Sequence, residues 1–471
     1  MLSHDLLDNF ISIVGRKHAR TKEDDLTHYT HENRNIVVGD TPLVLKPGST
    51  LEVSQIVKLA QQTGTAIVPQ GGHTGHAGGG VPDESGTQIV IAMERMNKIR
   101  EIDLKGNVII CEAGCVLETL QETASTNDRL FPLSLGSQGS CQIGGNIGTN
   151  AGGTGVLAYG NTRNLVMGLE VVLPNGDIWN GLRRLKKDNS GYDLKDLFIG
   201  SEGTLGIVTA AVLKLFPKPT GQSIAICGLE SAHAAVDLLN LAQANCGEGL
   251  TAFELMAEVP MEFTFRNFET VKNPLSQLYP WHVLIEVSSI QSQQIAEDTL
   301  QSTLEYAHEN SLLADAAVSN SVQQFRDFWG IREIMPTAQG HEGVSMKHDI
   351  SLPIHRIPEF LQRADTLVLE AVPGARLCTF GHLGDGNLHY NISQPLEMAS
   401  TDFKNQLGTI NNLVHTLVME MDGSIAAEHG VGRLKRDLLA DTKDEVELEL
   451  MRSIKSTIDP NGIMNPGKIV G

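Results

Sequence analysis

The chain has 471 residues, 41% of them hydrophobic and 20% charged, with a formal net charge of −20. That length gives room for two or three domains with real cores, and the charge argues against nucleic acid or an anionic membrane as partner. No apolar run reaches the roughly 18 residues of a membrane span, so the chain is read as not membrane-spanning. Six cysteines without a CxxC pair suit buried free thiols and a reducing, cytoplasmic setting.

Residues 1–15 read as a short amphipathic helix carried by Leu6, Leu7, Phe10, Ile11 and Val14. Asp5 and Asp8 make the segment neither a signal nor an Arg-rich transit peptide. Over 36–217, strand-like runs at 42–45, 66–68, 88–92, 108–110, 169–173 and 207–215 alternate with shorter helices. The clearest helix is 50–62, with Leu51, Val53, Ile56, Val57 and Leu59 on or near its apolar face. Pro217-Lys218-Pro219 reads as a boundary. Beyond it come a strand (223–228), a helix (232–244), two strands (251–256, 282–287), a helix (293–308) and a strand (312–318). That βαββαβ order predicts a ferredoxin-like sheet. Further helices are expected at 360–371 and 402–421. A last one, from 444, places Val446, Leu450, Ile454 and Ile458 on one stripe before Asp459-Pro460-Asn461-Gly462 stops it.

Glycine clusters twice, with six in 71–80 (GGHTGHAGGG) and nine in 136–160. Glycine runs beside strands let backbone N–H groups approach a phosphate closely. Neither run has Rossmann or Walker spacing. A flexible loop is the plain alternative, but Asn146, Thr149 and Asn150 break the second run with hydrogen-bonding groups, which favours a buried pyrophosphate site.

The segment Gly381-His382-Leu383-Gly384-Asp385-Gly386-Asn387-Leu388-His389 predicts a hairpin turning on Asp385-Gly386. His382 would then oppose His389, as two imidazoles must to grip one ion. Asn391 would share their face, while Leu383, Leu388 and Tyr390 point the other way. Glu428-His429-Gly430, after an expected strand at 424–427, offers the third ligand in Glu428. His/His/Glu with an open position is a catalytic zinc set; the alternative is two histidines that only cap a turn. Arg332, in an apolar-aromatic setting, and Lys347 could hold an acidic substrate. Taken alone they read first as surface salt bridges, Arg332 with Glu333 and Lys347 with Asp349.

Three long motifs, PQGGHTGHAGGG, PLSLGSQGSCQIGGNIGTNAGGTGVLAYGNTRNLVMGLEVVLPNGDI and KKDNSGYDLKDLFIGSEGTLGIVT, resemble the FAD domain of the vanillyl-alcohol oxidase (para-cresol methylhydroxylase-type) superfamily. GHLGDGNLHYN, EHGVG and DPNGIMNPGK resemble its D-2-hydroxy-acid dehydrogenase branch. The resemblance covers roughly 36–471. It implies an α+β fold: a two-part FAD-binding domain (1–218), a ferredoxin-like antiparallel-sheet substrate domain with the metal hairpin (219–421), and a C-terminal helical segment that completes the active site (422–471). The activity implied is oxidation of D-2-hydroxyglutarate to 2-oxoglutarate. Hydride would pass to flavin N5 and electrons to an external acceptor such as an electron-transferring flavoprotein or quinone. D-lactate, D-malate or glycolate are the alternative substrates, and a subunit active only within a complex is the alternative class. A homodimer is expected from the resemblance alone.

Carried over by motif, the loop with Pro69, Gly71, Gly72, His73, Thr74, Gly75 and Gly79 would hold the pyrophosphate. Gly136, Ser137, Gly144, Gly145 and Asn146 would contact flavin and diphosphate, and Asn150, Ala151 and Gly153 would line the isoalloxazine. Glu202, Gly206 and Ile207 would meet the adenine end, and Asn465 would close the site. The resemblance expects asparagine where His73 stands. FAD is expected to be non-covalent, with attachment through His73 as the alternative. His382, His389 and Glu428 would hold Zn²⁺ or another divalent cation, and His429 would take the hydroxyl proton as base and touch the substrate. Asn391 would orient the substrate, and Arg332 and Lys347 would hold its distal carboxylate. Thr337 would assist, although the motif position, four residues past Arg332, is Pro336.

Overall fold

The computed structural model describes residues 2–32 and 34–470, so Met1 of the expected N-terminal helix lies outside the described residues. The backbone divides into two compact units. One comprises Met1–Gly152, Gly160–Pro217 and Glu428–Gly471, the other Gly153–Tyr159 and Lys218–Ala427.

The first unit is built on two main sheets, beside the short pair Arg129–Leu130 and Phe216–Pro217. In the smaller, Ile89–Ala92 runs parallel to both Leu43–Leu45 and Ile67–Gln70, with Ala19–Thr21 at the far edge. The helix Thr50–Thr63 starts where Ser49 accepts the Glu52 N–H and stops at left-handed Gly64. It buries Val53, Ile56 and Val57 against Leu43, Ile67 and Ile91, while Leu51 stays exposed. The helix His4–Val14 adds Phe10 and Val14 to that core. The larger sheet is antiparallel, ordered Ile99–Asp103, Val108–Glu112, Ile207–Lys214, Val166–Val172, Ile178–Gly181. The chain end returns to this unit, with Met464 bridging Ile67 in parallel. The stripe on the terminal helix Glu445–Ile458 departs from expectation: Val446 and Leu450 are exposed, and Leu448 is the residue that buries.

The second unit has the predicted ferredoxin-like order. Its strands lie Asp315–Val318, Gly221–Leu229, Trp281–Ser289, Leu250–Ala257, all antiparallel. Helices Ala232–Cys246 and Gln293–Glu309 cover one face. On the other, Phe263 of Glu258–Asn267 and Phe328 and Met335 of Val322–His341 pack against Ile226 and Phe380. Arg376–His382 and Asn387–Ser393 then extend the sheet past Leu250–Ala257, and that extension positions the chemistry. The expected helix at 402–421 is two, Ser400–Asn405 and Leu407–Glu420, parted at Gln406. The expected strand at 424–427 is a single bridge, Ser424 to Ser351. All six cysteines are free, and five are buried.

His282 sits fully buried in Trp281–Ser289, its Nε2 accepting the Tyr279 N–H at 3.3 Å. Burial pushes its pKa down to about 4. The fold therefore favours the neutral ring, and the stability this group adds is full above about 6.5 and lost as pH falls through 4. The whole effect is on the order of 3 kcal/mol. In urea unfolding, His282→Gln is expected to lose less stability than the native chain between those pH values; parallel curves would refute this.

Candidate active site

In the first unit the two glycine runs meet. At Gly72 an added Cβ would lie 2.2 Å from the Ser140 carbonyl oxygen, and at Gly144 2.8 Å from the Ala113 Cβ, so only hydrogen fits at either position. At Gly75 and Gly145, by contrast, a Cβ would meet no protein atom. Both glycines line a cavity shared by Pro69, Gly71, Gly72, His73, Thr74, Gly79, Gly144, Asn146, Glu202, Gly206 and Ile207. Three buried amide oxygens, Gln142 Oε1, Asn146 Oδ1 and Asn465 Oδ1, have no hydrogen-bond partner among the described residues. Gln142 and Asn146 line that cavity. Open backbone on glycine and unanswered acceptors fit a dinucleotide with ring and ribose donors. Gly72→Val should force the runs apart, costing roughly 1–3 kcal/mol and lowering flavin content in the purified protein; full flavin occupancy would contradict the cradle.

Glu202 lines the cavity and also holds a neighbouring loop. Its carboxylate accepts the N–H groups of Val431 and Gly432, both at 2.8 Å, and so clasps the loop that carries His429. Burial raises its pKa to about 7 against the pull of those two bonds. Gly432 must be glycine, since a Cβ would lie 2.2 Å from the Ala77 carbonyl oxygen. The loop thus held turns His429 to the same cavity, its ring 4.9 Å from that of His76. Asn465 Nδ2 donates to the Gly79 and Glu202 carbonyls, at 3.0 and 2.7 Å, pinning both loops from the C-terminus. His73 has φ 58°, and its Nε2 lies 2.7 Å from the His31 carbonyl oxygen.

In the second unit the hairpin differs from its prediction. Leu383–Asp385 form a turn of 3-10 helix and Gly386 is left-handed at φ 83°, so the connection is longer than two residues. His389 pairs with Phe380 instead of His382. Because strand faces repeat every two residues, this two-residue slip leaves both histidines on one face. Their ring centroids are 5.6 Å apart. Leu383, Leu388 and Tyr390 do point to the opposite core.

Directly across from His382 in the neighbouring strand stands Glu254, 1% exposed. Its Oε1 lies 2.6 Å from His382 Nδ1, and its Oε2 accepts Arg332 Nε–H at 2.9 Å. An imidazole that donates Nδ1–H to a carboxylate presents Nε2 as a metal donor. Donor type and geometry here fit one side of a divalent-cation site. Arg332 pairs with Glu254, not with Glu333, and its guanidinium lies 4.8 Å over the Phe380 ring. Glu254 was missed in the sequence, where the only signal is one carboxylate inside an apolar strand.

Residues 218–469 match the family described as FAD linked oxidases, C-terminal domain, and residues 41–181 match the FAD binding domain family. The chain is 38% identical to the mitochondrial D-2-hydroxyglutarate dehydrogenase of Danio rerio, over 92% of this chain and 79% of that one. It is 36% identical to the D-2-hydroxyglutarate dehydrogenase of Stutzerimonas stutzeri (strain A1501), over 98% of each. The chain belongs to the FAD-linked oxidase family, on its D-2-hydroxy-acid dehydrogenase branch. A D-2-hydroxyglutarate–pyruvate transhydrogenase of Saccharomyces cerevisiae is 36% identical over 92% of this chain and 87% of its own. The fold alone is shared with substrate-bound p-cresol methylhydroxylase, at TM-score 0.75 and 16% identity over 99% of this chain and 96% of that one.

The cavity is lined by Gly144, Gly145 and Asn146 of the second glycine run, and Gly153 belongs to the second unit. The Ser137 carbonyl accepts the Cys141 N–H, and Asn150 Oδ1 accepts the Arg163 N–H. Asn391 is buried on the face of His389 and donates to Gln339 Oε1 at 3.1 Å. Gln339 lies seven residues past Arg332, on the same helix face, whereas Thr337 is turned about 140° away and exposed. Lys347 is exposed and within electrostatic range of Cys378, the cross-strand partner of Asn391; burial pushes that thiol up to about 12.

Proposed function

We propose that the chain oxidises D-2-hydroxyglutarate to 2-oxoglutarate using FAD and a divalent cation, and passes the electrons to an external acceptor. The observation that carries this reading is Glu254, one buried carboxylate joining a candidate metal ligand, His382, to a candidate substrate cation, Arg332. Bound FAD supplies the two-electron sink, and a bound cation supplies the charge that acidifies the 2-hydroxyl. His382 and His389 would hold the cation, with Glu428 as the third ligand that the resemblance implies. His429 takes the hydroxyl proton at its imidazole nitrogen. Only Nε of Arg332 is hydrogen-bonded among the described residues, which leaves its two terminal nitrogens for the distal carboxylate, with Lys347 as a second cation. Asn391, held in place by the buried Gln339, orients the rest of the substrate; the exposed Thr337 is given no role. His73 Nε2 faces a carbonyl, which favours non-covalent FAD; flavin retained by acid-precipitated protein would defeat that point.

Anaerobic mixing with D-2-hydroxyglutarate should bleach the visible flavin absorbance, and a chelator should abolish the bleaching. L-2-Hydroxyglutarate should leave the spectrum unchanged. Bleaching by D-lactate instead would keep the chemistry and discard the diacid. No bleaching by any hydroxy acid, in protein carrying flavin and metal, would refute the reading. The yeast relative favours one variant, in which an oxo acid is the acceptor. Reoxidation of the bleached protein by pyruvate alone would select it.

A further inference from the structure

Two histidine-bearing loops of the first unit meet beside the cofactor cavity, and the chemistry above uses only one of the two rings. His429 faces the cavity, and the ring of His76 lies 4.9 Å from its ring, edge to face at 72°. Two imidazoles joined by an N–H···N bond of about 2.9 Å have centroids roughly 5 Å apart. These rings therefore stand at the spacing for a proton to pass between them, directly or through one water. His76 is the outer of the two, its side chain 42% exposed.

The backbone builds this placement. The carbonyl of Ala77, next to His76, accepts the N–H groups of Arg433 and Leu434 at 2.9 and 3.1 Å, which fastens the glycine loop to the loop of His429. From the other side the Arg34 guanidinium donates to the His76 carbonyl. Arg34 also holds a carboxylate there: its Nε donates to Glu32 Oε1 at 2.7 Å and its backbone N–H to Oε2 at 3.0 Å. The Glu32 side chain is 1% exposed, and its Oε1 lies 3.9 Å from His76 Nδ1. A fixed anion at that range stabilises an imidazole that has taken up a proton. Of the other charged or titratable groups nearby, Arg433 directs its guanidinium to Glu84 at 2.9 Å. His73 turns its Nε2 to the His31 carbonyl, with the His28 ring 6.1 Å beyond.

We propose that His76 carries the substrate's hydroxyl proton from His429 to water, with Glu32 as its fixed counter-charge. The inference rests on the dehydrogenase reading above, in which His429 is the base. Each oxidation breaks the O–H and C2–H bonds of the 2-hydroxy acid and forms the second C–O bond of the 2-oxo acid. The C2 hydrogen leaves with two electrons for the flavin, and the hydroxyl proton goes to His429. His429 must lose that proton before a second substrate can react, yet it faces a cavity that the cofactor would occupy. His76 accepts the proton and gives one up to solvent, while Glu32 stays ionised throughout. His76 thus acts through His429 and touches no reacting atom.

The test separates the first turnover from later ones, because one substrate can be oxidised before any proton leaves His429. In FAD- and metal-loaded His76→Phe, anaerobic bleaching by D-2-hydroxyglutarate should keep its native rate. Steady-state kcat with a saturating artificial dye should fall about 100-fold. Imidazole added to the buffer should restore most of that loss, measured against the native protein at the same imidazole concentration. His76→Gln, a polar side chain that carries no proton, should behave in the same way. Native kcat in both variants would overturn the proposal. A matched loss of first-turnover and steady-state rates would overturn it too, and would make His76 a support for the His429 loop. So would a fall in kcat that imidazole does not relieve. Failure of the underlying reading is separable, since D-2-hydroxyglutarate would then not bleach the native flavin at all.

Discussion

Glu254→Ala is expected to destabilise the protein by about 3–5 kcal/mol, because it leaves a buried guanidinium without its counter-charge. Glu254 is 1% exposed and Arg332 6%, so water cannot replace the lost carboxylate. Burial alone would raise the Glu254 pKa, but His382 and Arg332 together hold it below the ordinary glutamate value. Its stabilising charge is therefore present above that ordinary value and lost as pH falls through the lowered one, so this pair's contribution should fade only below the ordinary glutamate value. Glu254→Gln keeps the shape and separates the two roles. It should fold, yet hold zinc about 10- to 100-fold more weakly, since His382 loses the partner that sets its tautomer. Urea unfolding reads the first effect and competition with a chromogenic chelator the second. Native zinc affinity in Glu254→Gln would mean that the carboxylate serves Arg332 alone.

His429→Asn should lower kcat by about 10²–10⁴ while flavin and zinc contents stay native. His429 faces the cofactor cavity on a loop whose backbone is clasped by Glu202, so an asparagine should leave that loop in place. The variant's pH–rate profile should also lose the limb that rises with deprotonation of the base. Turnover at the native rate would reduce His429 to an orienting group. A lowered rate with the native pH limb intact would make some other residue the base.

Some of the site was legible because it depends only on local periodicity. Strand faces alternate every two residues, so His382 and His389 share a face under any even register, and the actual slip of two did no harm to that inference. The glycine runs were legible because close backbone approach demands hydrogen at particular positions, and Gly72 and Gly144 show why. The ferredoxin-like order also followed from element sequence, since it is a local alternation of strands and helices. The terminal helix failed for the opposite reason. A stripe at helical spacing identifies an apolar face but not what covers it, and Val446 and Leu450 face outward.

The sequence by itself determined the family, the two-unit architecture's main elements, the flavin cradle and the pairing of two imidazoles, because each is written in spacing or composition over short stretches. Only the tertiary structure decided that Glu254, 128 residues from His382, is the group linking the candidate metal ligand to Arg332. It also decided that Gln339 in place of Thr337 shares the Arg332 face, and that Glu202 clasps the His429 loop. These contacts join elements far apart in the chain, and which strands and helices become neighbours is set by burial of the whole core, which no local pattern records.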